Sequence, residues 1–293
     1  MIERKKLLVP LALLSLYLIW GATFLGMKFA IESFPPLMMA ALRFTLAGAL
    51  LYVGLRWHGF PNPTWRQWGG ATIVGTLLLG VGNGGVAVAQ QWISTGVAAM
   101  VIGTVPLWAV VFAALWGQPP RKRELAGIAL GTVGVVLLNL HGGLAASPAG
   151  ATLLILGAIA WAFGSIWGKQ LPMPQGAMAG AAQMLAAGGM LLFASTITGE
   201  QMTSLPTVKA LWALAYLVLL GSLFAFSAYV YLLRTVRPAL ATSYAFVNPV
   251  VAVLLGAWLA DEHVSTQDLL ALGAILASVL LVLPFNRGDQ ASS

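Results

Sequence analysis

Polar side chains set inside long apolar runs are the residues of this chain that can do chemistry. Asn83 stands within Gly80-Val81-Gly82-Asn83-Gly84-Gly85, and Asn248-Pro249 follows Ser243 and Tyr244 in a later run. In hydrocarbon a polar group is costly and turns towards a cavity or a partner. The glycines let a ligand or another backbone come close, so Asn83 reads as a cavity residue or as glue between helices. Proline removes a backbone donor and displaces the carbonyl four residues earlier, and acceptors freed near Pro249, with Asn248, suit an ammonium group. Pro106 repeats the break in an earlier run, with Trp108 two residues on. The two prolines read either as a gating pair or as kinks of the kind membrane helices tolerate. Trp20, Trp108 and Trp161 lie deep, with Tyr244, Phe224 and Tyr229 behind them. Such rings can wall a slot for a flat or apolar side chain, or hold a cation for about 0.5–2 kcal/mol.

Arg43 is the one cation inside a run. It reads first as a structural residue snorkelling outward, and alternatively as the partner of a backbone carbonyl or a substrate carboxylate. Lys28 and Lys169 mark run ends and are candidate mouth residues. Cysteine is absent and His58, His141 and His263 are far apart, so no metal site is expected. No phosphate-binding glycine loop, nucleophile elbow or carboxylate pair points to an enzyme or a cofactor. Asp261-Glu262-His263 reads as a solvated helix end. No Asp or Glu falls in the middle of a run. Proton-coupled antiport usually needs such a group, so uniport or facilitated efflux fits better.

Composition says what kind of element must position these residues. Apolar side chains are 59% of the 293 residues and charged ones 8%, with mean hydropathy +0.89. Soluble domains run near 45–50% and about 25%, so this chain cannot cover a water-facing surface. Its net charge of +7 therefore does not indicate nucleic acid. A bilayer crossing takes roughly 20 mostly apolar residues, and ten runs qualify, to within a few residues at each end. The first five are Leu7 to Met27, Leu37 to Trp57, Trp68 to Ala89, Gly96 to Trp116 and Leu125 to Leu140. The second five are Gly150 to Trp167, Ala177 to Ile197, Val208 to Leu232, Ala239 to Leu259 and Leu269 to Pro284. The first run, preceded by Arg4, Lys5 and Lys6, reads as a retained helix rather than a signal peptide. With ten spans, twelve of the fifteen Lys and Arg fall on the side of the amino terminus, two on the other, and Arg43 within. That asymmetry predicts cytoplasmic termini.

The halves repeat. Trp20 to Lys28 and Trp161 to Lys169 have the same spacing, and Pro106 matches Pro249. Residues 1–143 and 144–293 are thus expected to form two five-helix units. An odd number of spans in each inverts the second relative to the first. Secondary transporters are often built this way, with substrate near the midplane.

Trp20-Gly21-Ala22-Thr23-Phe24 with Lys28, then Arg43-Phe44, resembles the EamA-type members of the drug/metabolite transporter superfamily. The doubled five-helix pattern, Pro106 and Glu262 fit as well. In its aromatic richness the chain is similar to YddG-type aromatic amino-acid exporters. The resemblance implies an all-α integral membrane fold: a ten-helix basket of two inverted repeats, its cavity lined by spans 1, 3, 4, 6, 8 and 9. One departure is Gln118-Pro119-Pro120, where an acidic residue often follows span four. Unlike the superfamily's small multidrug pumps, this chain has no glutamate in its first span. The expected function is export of small zwitterionic metabolites across a bacterial inner membrane by alternating access. Phenylalanine, tryptophan, tyrosine, methionine and threonine are the expected substrates, through a neutral cavity, by a monomer or weak dimer. Drug or nucleotide-sugar carriage and a lipid-handling enzyme are the alternatives.

Overall fold

The structure is a computed structural model, and it describes residues 2–117, 120–140, 147–236 and 244–282. Among these residues the secondary structure is all helical and forms ten rods. Three rods contain a π-helical stretch. Helix α1 runs Ile2–Ser15, Leu16–Trp20 (π) and Gly21–Ala30; α3 runs Trp65–Gly75, Thr76–Gly84 (π) and Gly85–Ala89; α8 runs Val208–Tyr216, Leu217–Phe224 (π) and Ala225–Thr235. Helix α4 is broken into Thr95–Ile102 and Val105–Leu115. The remaining rods are α2 (Pro36–Trp57), α5 (Lys122–Leu140), α6 (Pro148–Trp167), α7 (Ala177–Ile197), α9 (Tyr244–Leu259) and α10 (Thr266–Val282).

Local sequence sets the ends. Thr64, Ser94, Ser147 and Thr207 each accept a backbone N–H from the first turn of the helix that follows, the usual N-cap arrangement. Gly59, Gly117 and Gly199, with φ between +71° and +82°, follow the last turns of α2, α4 and α7. Among the described residues seven helices are long and apolar enough to cross a membrane: Leu8–Ala30, Pro36–Trp57, Trp65–Ala89, Thr95–Leu115, Pro148–Trp167, Ala177–Ile197 and Val208–Leu233. Shorter apolar stretches, Leu125–Gly134, Val247–Leu259 and Thr266–Ser278, lie in α5, α9 and α10.

Packing pairs the halves. Helices α2 and α7 lie together, as do α5 and α10, and α4 and α9. The contact of α3 with α6 is matched by that of α8 with α1, α4 with α6 by α9 with α1, and α3 with α7 by α8 with α2. Close approach needs small residues. At Gly188 of α7 an added Cβ would sit 2.8 Å from the Thr45 nitrogen of α2. Trp57, Trp65, Trp212 and Trp258 point outward near helix ends, where indoles sit at headgroup level.

One end of the bundle carries the α1–α2, α3–α4, α7–α8 and α9–α10 connections and is called the Glu32 end. The other carries the α2–α3 and α6–α7 connections and is called the Lys169 end.

Candidate functional site

A cavity of about 50 Å³ lies where the two halves meet, with Trp20, Arg43, Asn83, Trp161, Tyr244 and Asn248 in its wall. The π-helical stretches of α1 and α3 deliver residues to it, and that of α8 supports its wall from behind through Gly221 and Ser222. Trp20 ends the one in α1, Gly82 and Asn83 lie in that of α3, and Gly221 and Ser222 lie in that of α8. A π turn inserts one extra residue and re-aims the side chains after it, which is why such turns gather at functional sites. The indole Nε1 of Trp20 donates to the Gly221 carbonyl at 2.9 Å. Because Gly221 has no side chain, α8 can come this close: a Cβ there would meet Thr23 Cγ2 at 2.8 Å and Arg43 Nη2 at 3.2 Å.

Arg43 is 2% exposed. Its Nε donates to Ser222 Oγ at 2.7 Å and its Nη1 to Asn83 Oδ1 at 3.1 Å. The guanidinium carbon also lies 4.9 Å from the centroid of the Phe44 ring. Arg43 therefore does not snorkel, and the cavity expected to be neutral holds a buried positive charge. Helix α2, outside the set of lining spans implied by the resemblance, supplies it.

Towards the Lys169 end the cavity floor is aromatic. Trp20 packs edge-on against Trp161 (5.6 Å between centroids) and Tyr244 (5.0 Å), and tilted against Tyr229 (5.1 Å). Trp161 Nε1 donates to Tyr229 Oη at 3.3 Å, and that hydroxyl lies 3.1 Å from Ser165 Oγ. Beyond this layer a vestibule of about 350 Å³ opens among α3, α6, α7 and α8, lined by Ser165, Lys169, Gln183 and Tyr229. Partial burial there lowers the pKa of the Lys169 ammonium below the ordinary lysine value.

The Glu32 end is tied across instead. Lys209 Nζ meets Glu32 at 2.8 Å and sits 3.7 Å from the Phe29 centroid, joining α1 to α8. Glu200, after α7, accepts the Leu37 and Met38 amides at the start of α2, at 3.0 and 2.8 Å. Glu262, after α9, accepts Thr95 N (2.8 Å), Thr95 Oγ1 (2.7 Å) and Gly96 N (3.4 Å) at the start of α4. Asp261-Glu262-His263 is therefore not simply a solvated helix end, because its central carboxylate is a cap on another helix.

Several expectations change once the chain is folded. Trp108 lies away from the cavity, in an apolar groove of about 210 Å³ among α4, α5 and α6 that also takes in Val111, Ile128 and Val136. Phe224 is 56% exposed on the outside of the bundle. Asn248 does line the cavity. Its amide nitrogen, oriented to satisfy its surroundings, donates to the carbonyls of Leu16 (3.1 Å) and Tyr17 (3.2 Å) in α1 and of Tyr244 (3.2 Å). It pins α9 to the π stretch of α1, so the amide nitrogen is engaged between helices. The prolines part company as well. Pro106 follows the break in α4, whereas α9 runs through Pro249 without one. Lys28 is half-buried near the Glu32 end of α1, and Lys169 stands in the vestibule with part of its side chain open to solvent; neither is in the cavity wall. Ser243, the Gln118-Pro119 departure and the 143/144 junction lie outside the described residues. Tyr229, ranked second from sequence, proves fully buried at the centre of the aromatic layer.

A bundle of apolar helices around a polar, ring-walled chamber is the build of a membrane carrier. The sequence pattern of the EamA-like transporter family matches residues 7–140 and again 148–283, and the chain belongs to that family. It is 50% identical to the uncharacterized inner membrane transporter YedA of Escherichia coli (strain K12), over 95% of this chain and 92% of that one. It is 26% identical to the protein PecM of Dickeya dadantii (strain 3937), over 90% and 88%. A solved crystal structure superposes with a TM-score of 0.69 at 20% identity, covering 93% of this chain and 95% of the other; at that identity the likeness speaks for the fold alone.

Proposed function

We propose that this chain is an inner-membrane exporter of small zwitterionic metabolites, above all aromatic and other bulky neutral amino acids, working by alternating access. The observation that carries the reading is the chamber between the halves, walled by Trp20, Trp161 and Tyr244. Trp161 and Tyr244, whose ring centroids lie 5.6 and 5.0 Å from that of Trp20, offer with it faces and edges to a flat or apolar side chain. The matched interhelical contacts and the two family matches, 7–140 and 148–283, support a ten-span bundle of two inverted five-helix repeats. Such a unit can pack in two ways of similar energy, each open to one side.

The distribution of Lys and Arg supports an orientation with both termini and the Lys169 end in the cytoplasm. The vestibule of about 350 Å³ then faces the cell interior, and the Glu32–Lys209 pair and two glutamate caps close the outer face. A substrate enters past Lys169 and displaces the Trp161–Tyr229 layer. The cavity of about 50 Å³ falls well short of the few hundred Å³ typical of a ligand pocket, so those rings must part for it to fill. Release needs the helix ends around Glu32 to separate. Proteoliposomes that contain the purified protein should take up labelled phenylalanine, methionine or threonine down its gradient. If the protein is folded and no amino acid moves, the substrate assignment is wrong.

A further inference from the structure

The guanidinium of Arg43 is incompletely matched. It carries five N–H donors in a rigid fork. Nε and Nη1 each meet one neutral oxygen, on Ser222 and Asn83. Among the described residues no carboxylate pairs with it, and Nη2 has no hydrogen-bond acceptor there. Burying a cation costs several kcal/mol even after relaxation, and a charge inside a membrane helix calls for a partner. Two neutral hydrogen bonds do not cancel a full charge, and the side chain that carries it lines the chamber.

We infer that Arg43 is the anion receptor of the chamber, and that its substrates must carry a carboxylate that docks on this guanidinium. The inference rests on the carrier reading above and narrows it. A carboxylate that accepts from Nη2 and shares Nη1 makes the two-pronged contact for which arginine is suited. The charge then meets its counter-ion only when the chamber is loaded. Asn83 and Ser222 hold the fork in place, and the rings of Trp20, Trp161 and Tyr244 take the rest of the molecule. A doubly charged phosphate ester would bring one negative charge more than the described chamber offsets. An amine without a carboxylate would place a second cation beside the first. The favoured cargo is a monocarboxylate, with or without an ammonium group.

Three compounds with one phenyl ring separate the groups: phenylalanine, 3-phenylpropionate and phenethylamine. Each is titrated against the detergent-purified full chain, with the rise in melting temperature as the binding readout, and each is then offered to proteoliposomes. Phenylalanine and 3-phenylpropionate should stabilise the protein and phenethylamine should not. Asn83→Asp sets a fixed carboxylate beside Nη1 and should weaken binding of both carboxylates by roughly tenfold or more while the chain still folds. Arg43→Gln should do the same, and Arg43→Lys should fall between. Phenethylamine binding as well as phenylalanine, carboxylate binding within threefold of wild type in a folded Asn83→Asp protein, or silence towards a whole panel of neutral amino and hydroxy acids would each overturn the inference. Carboxylate binding that depends on Arg43 but is never followed by movement across the bilayer would sink the carrier reading alone. Phenylalanine transport indifferent to Asn83→Asp would sink the anion receptor alone.

Discussion

Glu262→Ala tests how α4 is held at the Glu32 end. The first amides of a helix have no partner within it. In α4 all three of the leading ones are accounted for: Ser94 Oγ accepts Val97 N, and Glu262 accepts Thr95 N and Gly96 N. Thr95 is fully buried, so water does not readily replace the carboxylate. Removing it orphans two buried N–H groups and one hydroxyl, at roughly 1 kcal/mol each for the better-formed bonds. It also removes a negative charge from a helix N-terminus, a loss of about 0.3–1 kcal/mol. The total is about 2–3 kcal/mol. For a chain of this size a kilocalorie moves the melting temperature by roughly 2–4 °C, so a drop of about 5–10 °C is expected in detergent. Glu262→Gln keeps one acceptor oxygen and should lose about half as much. A Glu262→Ala protein that melts within 1 °C of wild type would refute the reasoning, because water would then be reaching the amides.

Other outcomes follow from the same contacts. Gly75→Leu drives a side chain into the Gln183 backbone, where even a Cβ would lie 3.0 Å from the α-carbon. The α3–α7 crossing should open at a cost above the usual 1–3 kcal/mol of overpacking, seen as loss of the monodisperse peak on size exclusion. Asn248→Ala removes the donor to the Leu16, Tyr17 and Tyr244 carbonyls. Stability should fall by about 1–2 kcal/mol, with transport per folded molecule largely kept; transport lost at unchanged melting temperature would return Asn248 to the binding site. Trp108→Ala should leave the ranking of competing amino acids in counterflow unchanged, and Trp161→Ala should alter it. An equal effect of both would mean that the groove among α4, α5 and α6 belongs to the transport path.

Much of the site was legible as a set of types at a common depth. Trp20 and Trp161 share their spacing to Lys28 and Lys169, and Asn83 stands among glycines; these three residues meet in one wall. Arg43 was misjudged because snorkelling is a choice between water and a partner, and its partners, Ser222 on α8 and Asn83 on α3, are remote in sequence. Trp108 and Phe224 were misjudged because depth along a helix says nothing of azimuth. In helices apolar on nearly every face, no hydrophobic stripe marks the inward side.

By itself, the order of residues determined that this chain enters a membrane as a set of apolar helices and which of their ends carry charge. These follow from the length of each run and from the cost of moving charge into hydrocarbon, both local quantities. Folding decided which faces meet, that the π turns of α1 and α3 aim into one chamber, and that two glutamates clasp helices more than 160 positions away. Contacts of that kind depend on shape and on hydrogen-bond partners brought together by packing, and no single stretch of chain contains them.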